Sequence, residues 1–256
     1  MKKKSHYPLS TIKSMADTEF RTGVIRPVEC FKEGWELIKD QYWLLFAISL
    51  VGAFIGGGSM YILLGAMICG IFYCYFQKID GKAVRFEDLF KGFSYFVPSL
   101  LLMLVIIVPT IVVMFIIYIP FITAAVMGPK LSEDELLTLL LGSLAVDFVA
   151  VLLMVCFHTL LMFAFPLLVD RNFPAMQAIK TSVKAVWANL GSVAGLIGIG
   201  LVLNLLGALA CGIGIYFTIP IIIAGNIVAY RKVFPARQIP NQPPPPNAYQ
   251  NAGSYT

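Results

Sequence analysis

The chain has few charged residues for its length. Only 13% of its 256 residues are Asp, Glu, Lys or Arg, whereas soluble domains carry roughly 25%. Hydrophobic residues make up 59%, and several apolar runs reach about 20 residues, the length that crosses a bilayer. A soluble protein would need polar helix faces, which these runs lack. The composition therefore predicts an integral membrane protein.

Residues that carry out catalysis or bind metals are also scarce. The chain has two histidines and five cysteines, without a CxxC pair or a zinc-ligand spacing. Neither a GxxxxGK phosphate loop nor a GxSxG nucleophile turn occurs. The net charge of +5 comes from basic residues beside the apolar runs, so it does not indicate a nucleic-acid partner. We expect no enzymatic activity, no cofactor and no metal site.

Three long apolar regions, each interrupted by helix breakers, predict an all-α protein with six transmembrane helices in three hairpins. The first region, residues 42–76, would form a helix about 50 Å long, against a hydrocarbon core of about 30 Å. Its GGGS segment, and the ACGIG segment at 210–214 in the last region, predict turns. In the middle region, Gly128 and Pro129 end one helix. Ser132 and Glu135 are typical of a capping box, which begins a helix predicted to run from 132 to 169.

The distribution of basic residues predicts the orientation in the membrane. If the N-terminus is cytoplasmic, Lys130 is the one basic residue of 19 that falls outside, as expected from the enrichment of Lys and Arg in cytoplasmic loops. We therefore expect a multi-pass inner-membrane protein with both termini in the cytoplasm. Its predicted parts are an N-terminal tail (1–26), a membrane domain (27–234) and a disordered proline-rich tail (235–256).

A short amphipathic segment precedes each predicted hairpin. The three segments are VECFKEGWELIKD (28–40), VRFEDLFKGFSYF (84–96) and AMQAIKTSVKAVW (175–187). Helices with an apolar aromatic face and a basic face lie in the membrane interface, so we predict three cytoplasmic interfacial helices. They either bind anionic headgroups or only fix the tilt of the spans. The expected headgroup ligands are Lys32, Lys39, Lys91, Lys180 and Lys184.

Few polar residues fall within the predicted spans, and each is a candidate functional residue. His158 and Asp147 are eleven residues apart, which places them on one helix face and could line an internal path. Asn204 and Asn226 lie on the last two spans. The simpler alternative for His158 is a hydrogen bond across a helix interface. Small-residue spacings that permit close helix packing occur at Gly52, Gly56, Gly191 and Gly195.

The segments FKEGWELIKDQYW, FEDLFKGFSYF and PLLVDRNFPAMQAIKTSVKAVWANL resemble uncharacterised bacterial multi-pass membrane protein families. They are similar as well to the membrane domain attached to some glycerophosphodiester phosphodiesterases. The resemblance covers residues 27–234 and implies an inner-membrane protein without catalysis, because the phosphodiesterase domain is absent. The residues that carry it include Asp88, Phe90, Gly92, Asp170 and Asn189.

The expected function is non-enzymatic. We predict a membrane scaffold or a lipid-responsive assembly partner, which would bind membrane lipids and either a protein partner or a second copy of the chain. The alternative is a small-solute transporter or channel with a path past His158.

Overall fold

The computed structural model describes residues 19–127, 132–210 and 212–236. All regular secondary structure within these ranges is helical, which confirms the predicted all-α class. Two 3-10 helices cover Lys39–Gln41 and Phe86–Tyr95. The α-helices are α1 (Pro27–Ile38), α2 (Tyr42–Gly58), α3 (Leu64–Ile79), α4 (Phe96–Met127), α5 (Glu133–Leu160), α6 (Ala164–Arg171), α7 (Ala175–Ala188), α8 (Leu190–Leu209) and α9 (Gly214–Val233).

Five helical units are long and apolar enough to cross a membrane. They are Pro27–Gly58, Phe86–Val126, Glu133–Arg171, Leu190–Leu209 and Gly214–Val233. They support the prediction of a multi-pass membrane protein. The helix α3 is also apolar but has only 16 residues. The predicted terminal tails, apart from residues 19–26, 235 and 236, lie outside the described residues, as does Lys130.

The first predicted glycine turn is displaced along the chain. Helix α2 continues through its glycines to Gly58, and the left-handed backbone falls on Met60 and Tyr61, with φ of 52° and 67°. The hydroxyl of Ser59 donates to the Gly56 carbonyl at 2.8 Å and accepts from the Leu63 N–H at 3.0 Å. This serine therefore satisfies backbone groups on both sides of the break. In the second predicted turn, Gly212 has a φ of 76°, a conformation that glycine adopts readily.

The helix predicted from 132 to 169 begins where expected but is broken near its end. The capping box is confirmed, since Ser132 Oγ accepts from the Glu135 N–H at 3.3 Å and the Glu135 carboxylate accepts from the Ser132 N–H at 2.9 Å. However, α5 ends at Leu160 and α6 begins at Ala164. Ser182 of α7 donates to the Leu160 carbonyl at 2.7 Å and accepts from the Phe163 N–H at 3.2 Å. A hydroxyl from a distant helix thus satisfies the interrupted backbone, which the local pattern could not reveal.

The three amphipathic segments are helical, and each of them also packs against another helix of the protein. Helix α1 packs against α9, the Phe86–Tyr95 helix against α3, and α7 against α6. In α7 the buried face consists of small residues, since small side chains let the backbones approach closely. The bulky residues of the predicted apolar faces stay partly outside, with Trp35 exposed by 43%, Phe90 by 45% and Trp187 by 69%. The buried small residues of α7 are Ala178, Thr181, Ser182 and Ala185.

Residues that precede Pro27, the predicted start of the membrane domain, also make hydrogen bonds to it. Arg21 donates its backbone N–H to the Val233 carbonyl at 2.9 Å. The buried side chain of Asn189 accepts from the Gly23 N–H at 2.9 Å and donates to the Arg21 carbonyl at 3.3 Å. These bonds hold the first described residues against the end of α9 and the junction of α7 and α8.

A partly buried ionic cluster joins the ends of three helices. Arg231 of α9 contacts Asp170 of α6 at 2.7 Å and Asp80, which follows α3, at 2.9 Å. The Tyr230 hydroxyl donates to Asp170 at 2.8 Å, and the Arg231 guanidinium lies 4.7 Å from the centre of the Phe76 ring. The largest fully buried side chains include Tyr75, Phe163, Tyr230 and Phe234. The core therefore lies beside this cluster.

Candidate functional site

Four of the long helices surround one cavity, which we call the interhelical groove. It has a volume of about 570 Å³ and is lined by α4, α5, α8, α9 and Met162, which lies in the break between α5 and α6. Sites for small molecules in proteins cover about 300–1,000 Å³, so the groove is large enough to hold one. Most of the lining is aliphatic or methionine. The polar lining residues are Thr110, His158, Thr159, Asn204 and Asn226.

The hydroxyl groups of the two threonines in the groove donate hydrogen bonds within their own helices. Thr110 donates to the Ile106 carbonyl at 2.7 Å, and Thr159 donates to the Val155 carbonyl at 2.7 Å. Such bonds to the preceding turn remove the cost of placing a hydroxyl proton in an apolar setting. The threonines were not among the sequence-predicted site residues, because a threonine within an apolar run carries no distinguishing signal.

His158 uses one ring nitrogen within α5 and leaves the other for the groove. Its Nδ1 lies 2.9 Å from the Met154 carbonyl oxygen. A carbonyl only accepts hydrogen bonds, so Nδ1 carries the proton and Nε2 of the neutral ring is an acceptor. The structure thus gives His158 a partner on its own helix and not the partner across a helix interface that the simpler alternative required. The imidazole is exposed and lines the groove.

The two asparagines contribute amide groups from the opposite helix pair. The Thr218 hydroxyl of α9 shares its proton between the Ile215 carbonyl, at 2.8 Å, and the Asn204 side-chain oxygen of α8, at 3.2 Å. The amide N–H groups of Asn204 have no protein partner among the described residues. Asn226 of α9 lines the same groove, and its side chain makes no hydrogen bond to any described residue. The structure therefore brings His158, Asn204 and Asn226 together around one cavity.

Asp147 does not belong to this group. It lies on α5 about 16 Å from His158 along the helix axis, at 1.5 Å per residue, and it does not line the groove. One of its carboxylate oxygens is buried without a hydrogen-bond partner in the described part of the chain. The groove therefore includes His158 but not Asp147, and a path that combines the two residues stays a prediction.

The predicted packing glycines differ in their surroundings. A Cβ on Gly52 would lie 2.9 Å from the Ile71 side chain, and one on Gly195 would lie 2.7 Å from Pro27. A Cβ on Gly56 would lie 3.0 Å from the Leu64 Cα, whereas a Cβ on Gly191 would meet no described atom of another element within 4 Å.

A much closer approach joins Gly70 of α3 to the Phe86–Tyr95 helix at Gly92. A Cβ on Gly70 would lie 1.8 Å from the Leu89 carbonyl oxygen, and one on Gly92 would lie 2.0 Å from the Ala66 carbonyl oxygen. This contact could not be predicted from the sequence, because the two glycines lie on different elements. A small-residue spacing can be recognised only within one helix.

The five predicted headgroup lysines are exposed. Lys39 pairs with Glu36, and Lys91 pairs with Asp88 at 2.7 Å. Lys32, Lys180 and Lys184 make no ion pair with the residues that the structure describes. These three ammonium groups are therefore the ones open to an external anion.

No family model, curated protein or solved structure matches this chain. The resemblance to multi-pass families therefore stays a prediction, and the site is interpreted from its own geometry. Among the described residues, no group of three or more His, Cys, Asp or Glu side chains is placed to bind a metal ion.

Proposed function

We propose that this protein is a non-enzymatic, lipid-responsive scaffold of the inner membrane, which takes an acyl or alkyl chain from the bilayer into the interhelical groove. The observation that supports it is the groove itself, an apolar cavity between two pairs of membrane-length helices. Apolar burial stabilises a bound chain by about 0.8 kcal/mol per CH₂ group. An aqueous solute would gain little from such a lining.

The scaffold part of the proposal is supported by the exposure of α4 and α5. In the units Phe86–Val126 and Glu133–Arg171, only 11% of the most apolar 18-residue stretch is buried within the protein. Apolar surface of this extent has to be covered by lipid, by a protein partner or by a second copy of the chain. Lys32, Lys180 and Lys184 add a basic surface for anionic headgroups, at about 1 kcal/mol each.

We also propose that α3 crosses the membrane in addition to the five longer units. This gives six spans, with both termini in the cytoplasm. A helix of 16 residues is about 24 Å long, somewhat less than the hydrocarbon core. The contact that favours six spans is the hydrogen bond between Arg21 and Val233. It joins the start of the packed domain to the end of its last described helix, and an even number of crossings would place these two points on the same side of the membrane.

Cysteine labelling tests this topology. In a background without native cysteines, a single cysteine at Lys82 or at Lys180 is expected to stay unlabelled by a membrane-impermeant maleimide added to intact spheroplasts. Both are expected to react fully after the membrane is opened. A cysteine at Thr138, near the start of α5, is the external control and should react in intact cells. Labelling of Lys82→Cys from outside would contradict the six-span topology.

Filling the groove tests lipid binding. Gly200 lines the groove, and a Cβ there would meet only the Ile222 side chain, at 3.9 Å. We expect Gly200→Leu to reduce the lipid that co-purifies in mild detergent by about tenfold, a change of about 1.4 kcal/mol, because the leucine occupies the space of the bound chain. Native mass spectrometry measures the bound fraction.

The matched control is Gly198→Leu on the same helix. Gly198 is exposed, and a Cβ added there would meet no described atom of another element within 4 Å, so the same substitution there should leave bound lipid unchanged. Equal lipid retention in both variants would contradict the proposed use of the groove.

Transport of a small solute is the second candidate, because His158, Asn204 and Asn226 converge on the same cavity. A transporter would lose uptake in proteoliposomes on substitution of His158 by alanine. The mostly apolar lining and the separation of Asp147 from the groove favour the lipid-binding proposal over this one.

A further inference from the structure

We propose that the interhelical groove selects a long-chain amphiphile whose polar end is a hydroxyl group. This inference rests on the proposed lipid binding and specifies its ligand. It is based on two observations. Some hydrogen-bonding groups in the groove have no protein partner among the described residues, and none of the described lining residues is charged.

The groove offers one open acceptor at His158. Because Nδ1 is engaged by the Met154 carbonyl at 2.9 Å, the neutral ring presents the Nε2 lone pair. An acceptor left without a partner in an apolar environment is costly. A ligand that matches this position must donate a hydrogen bond.

The groove also offers open donors on the facing helices. The Asn204 side-chain oxygen accepts from Thr218, so its N–H groups are the part left for a ligand. Asn226 adds an amide with no partner among the described residues. A ligand that matches these positions must accept a hydrogen bond. A hydroxyl group donates and accepts at once, whereas an ether or a carboxylate only accepts.

The charge of the lining excludes an anionic head. None of the described lining residues is Lys, Arg, Asp or Glu. A carboxylate or phosphate buried there would lack a counter-ion, which is unfavourable in a medium of low dielectric constant. A neutral hydroxyl needs none. The remaining lining, including Val113, Met114 and Leu201, accommodates the hydrocarbon chain.

A matched ligand series tests the inference on the full chain in detergent. Binding of tritiated hexadecanol is measured by scintillation proximity, with unlabelled hexadecanol, hexadecyl methyl ether and palmitate as competitors. We expect hexadecanol to compete about tenfold better than its methyl ether, the effect of one hydrogen bond of about 1.4 kcal/mol. Palmitate is expected to compete less well than hexadecanol.

Variants identify the groups responsible. His158→Phe keeps a ring of similar size and removes the acceptor, so the preference for the alcohol over the ether should fall below about twofold, with the ether affinity unchanged. Asn226→Leu is the second variant and should weaken alcohol binding several-fold. Thr123→Val, which removes a hydroxyl outside the groove, is the control and should keep the tenfold preference.

Two results would overturn the inference while leaving the proposed function intact. In the first, the wild-type protein binds ether and alcohol equally, which would mean that the groove recognises only the chain. In the second, palmitate binds most tightly, which would mean that an anionic head is accepted. If the wild-type protein retains no chain compound at all, the proposed lipid binding fails as well.

Discussion

Replacing Gly70 or Gly92 with alanine is expected to destabilise the protein strongly. An added Cβ would lie 1.8 Å from the Leu89 carbonyl oxygen or 2.0 Å from the Ala66 carbonyl oxygen, respectively. Both neighbours are backbone atoms, so no side-chain rotation can relieve the overlap. Ordinary overpacking costs about 1–3 kcal/mol, and a backbone clash of this depth should exceed about 3 kcal/mol. The measurement is the midpoint of thermal aggregation in detergent, followed by size-exclusion chromatography.

The control for this prediction is Gly198→Ala. Gly198 lies within α8, and a Cβ added there would meet no described atom of another element within 4 Å, so alanine there should leave the midpoint unchanged or raise it slightly. The double variant of Gly70 and Gly92 should cost less than the sum of the two single changes, because both displace the same contact. Midpoints for Gly70→Ala and Gly92→Ala within error of the control would show that the close approach does not exist.

Asp170→Asn is expected to produce the second large loss of stability. The Asp170 side chain is only 13% exposed, and its carboxylate accepts from Arg231, Arg171 and Tyr230. Loss of its charge leaves Arg231, which is equally buried, with Asp80 as its remaining carboxylate partner. Removing one partner of a buried pair typically costs about 3–5 kcal/mol. The same thermal assay measures the effect.

Two further variants separate the buried charge from a general effect of substitution. Glu36→Gln removes an exposed ion pair with Lys39, and such pairs contribute little, so its midpoint should equal that of the wild type. Adding Arg231→Met to Asp170→Asn should recover part of the loss, because the inadequately paired charge is then gone. If Asp170→Asn is as stable as Glu36→Gln, the cluster does not stabilise the junction of α3, α6 and α9.

Features set by local sequence were predictable, and features set by distant contacts were not. The capping box at Ser132 and Glu135 follows from residues three apart, and its two hydrogen bonds are present. The helical class follows from composition and run length. The break after Leu160 was missed because its stabilising hydroxyl, on Ser182, comes from another helix. The displaced first turn follows from the Ser59 hydroxyl, which allows the helix to retain its glycines.

The same distinction applies to the site. His158 and Asn204 were predicted as candidates because they are polar residues within apolar runs, and both line the groove. Helical periodicity could place Asp147 on the same face as His158, yet it could not show that only one of them reaches the α8–α9 pair. The hydrophobic pattern also could not predict which face of α7 is buried. Its small residues compete with its bulky ones for the buried face, and the outcome depends on which helix packs against it.

The first helix of the domain is completed by the last. A Cβ on Gly34 of α1 would lie 2.7 Å from the Gly225 backbone nitrogen of α9, and Arg21 bonds to Val233. These two helices are far apart in the sequence, so they can meet only after α9 has been synthesised. Before α9 has been made, the face of α1 that carries Cys30 and Phe31 is not buried. Incomplete chains therefore expose apolar surface of the kind that chaperones bind. Chains truncated before α9 should therefore be degraded quickly by quality-control proteases.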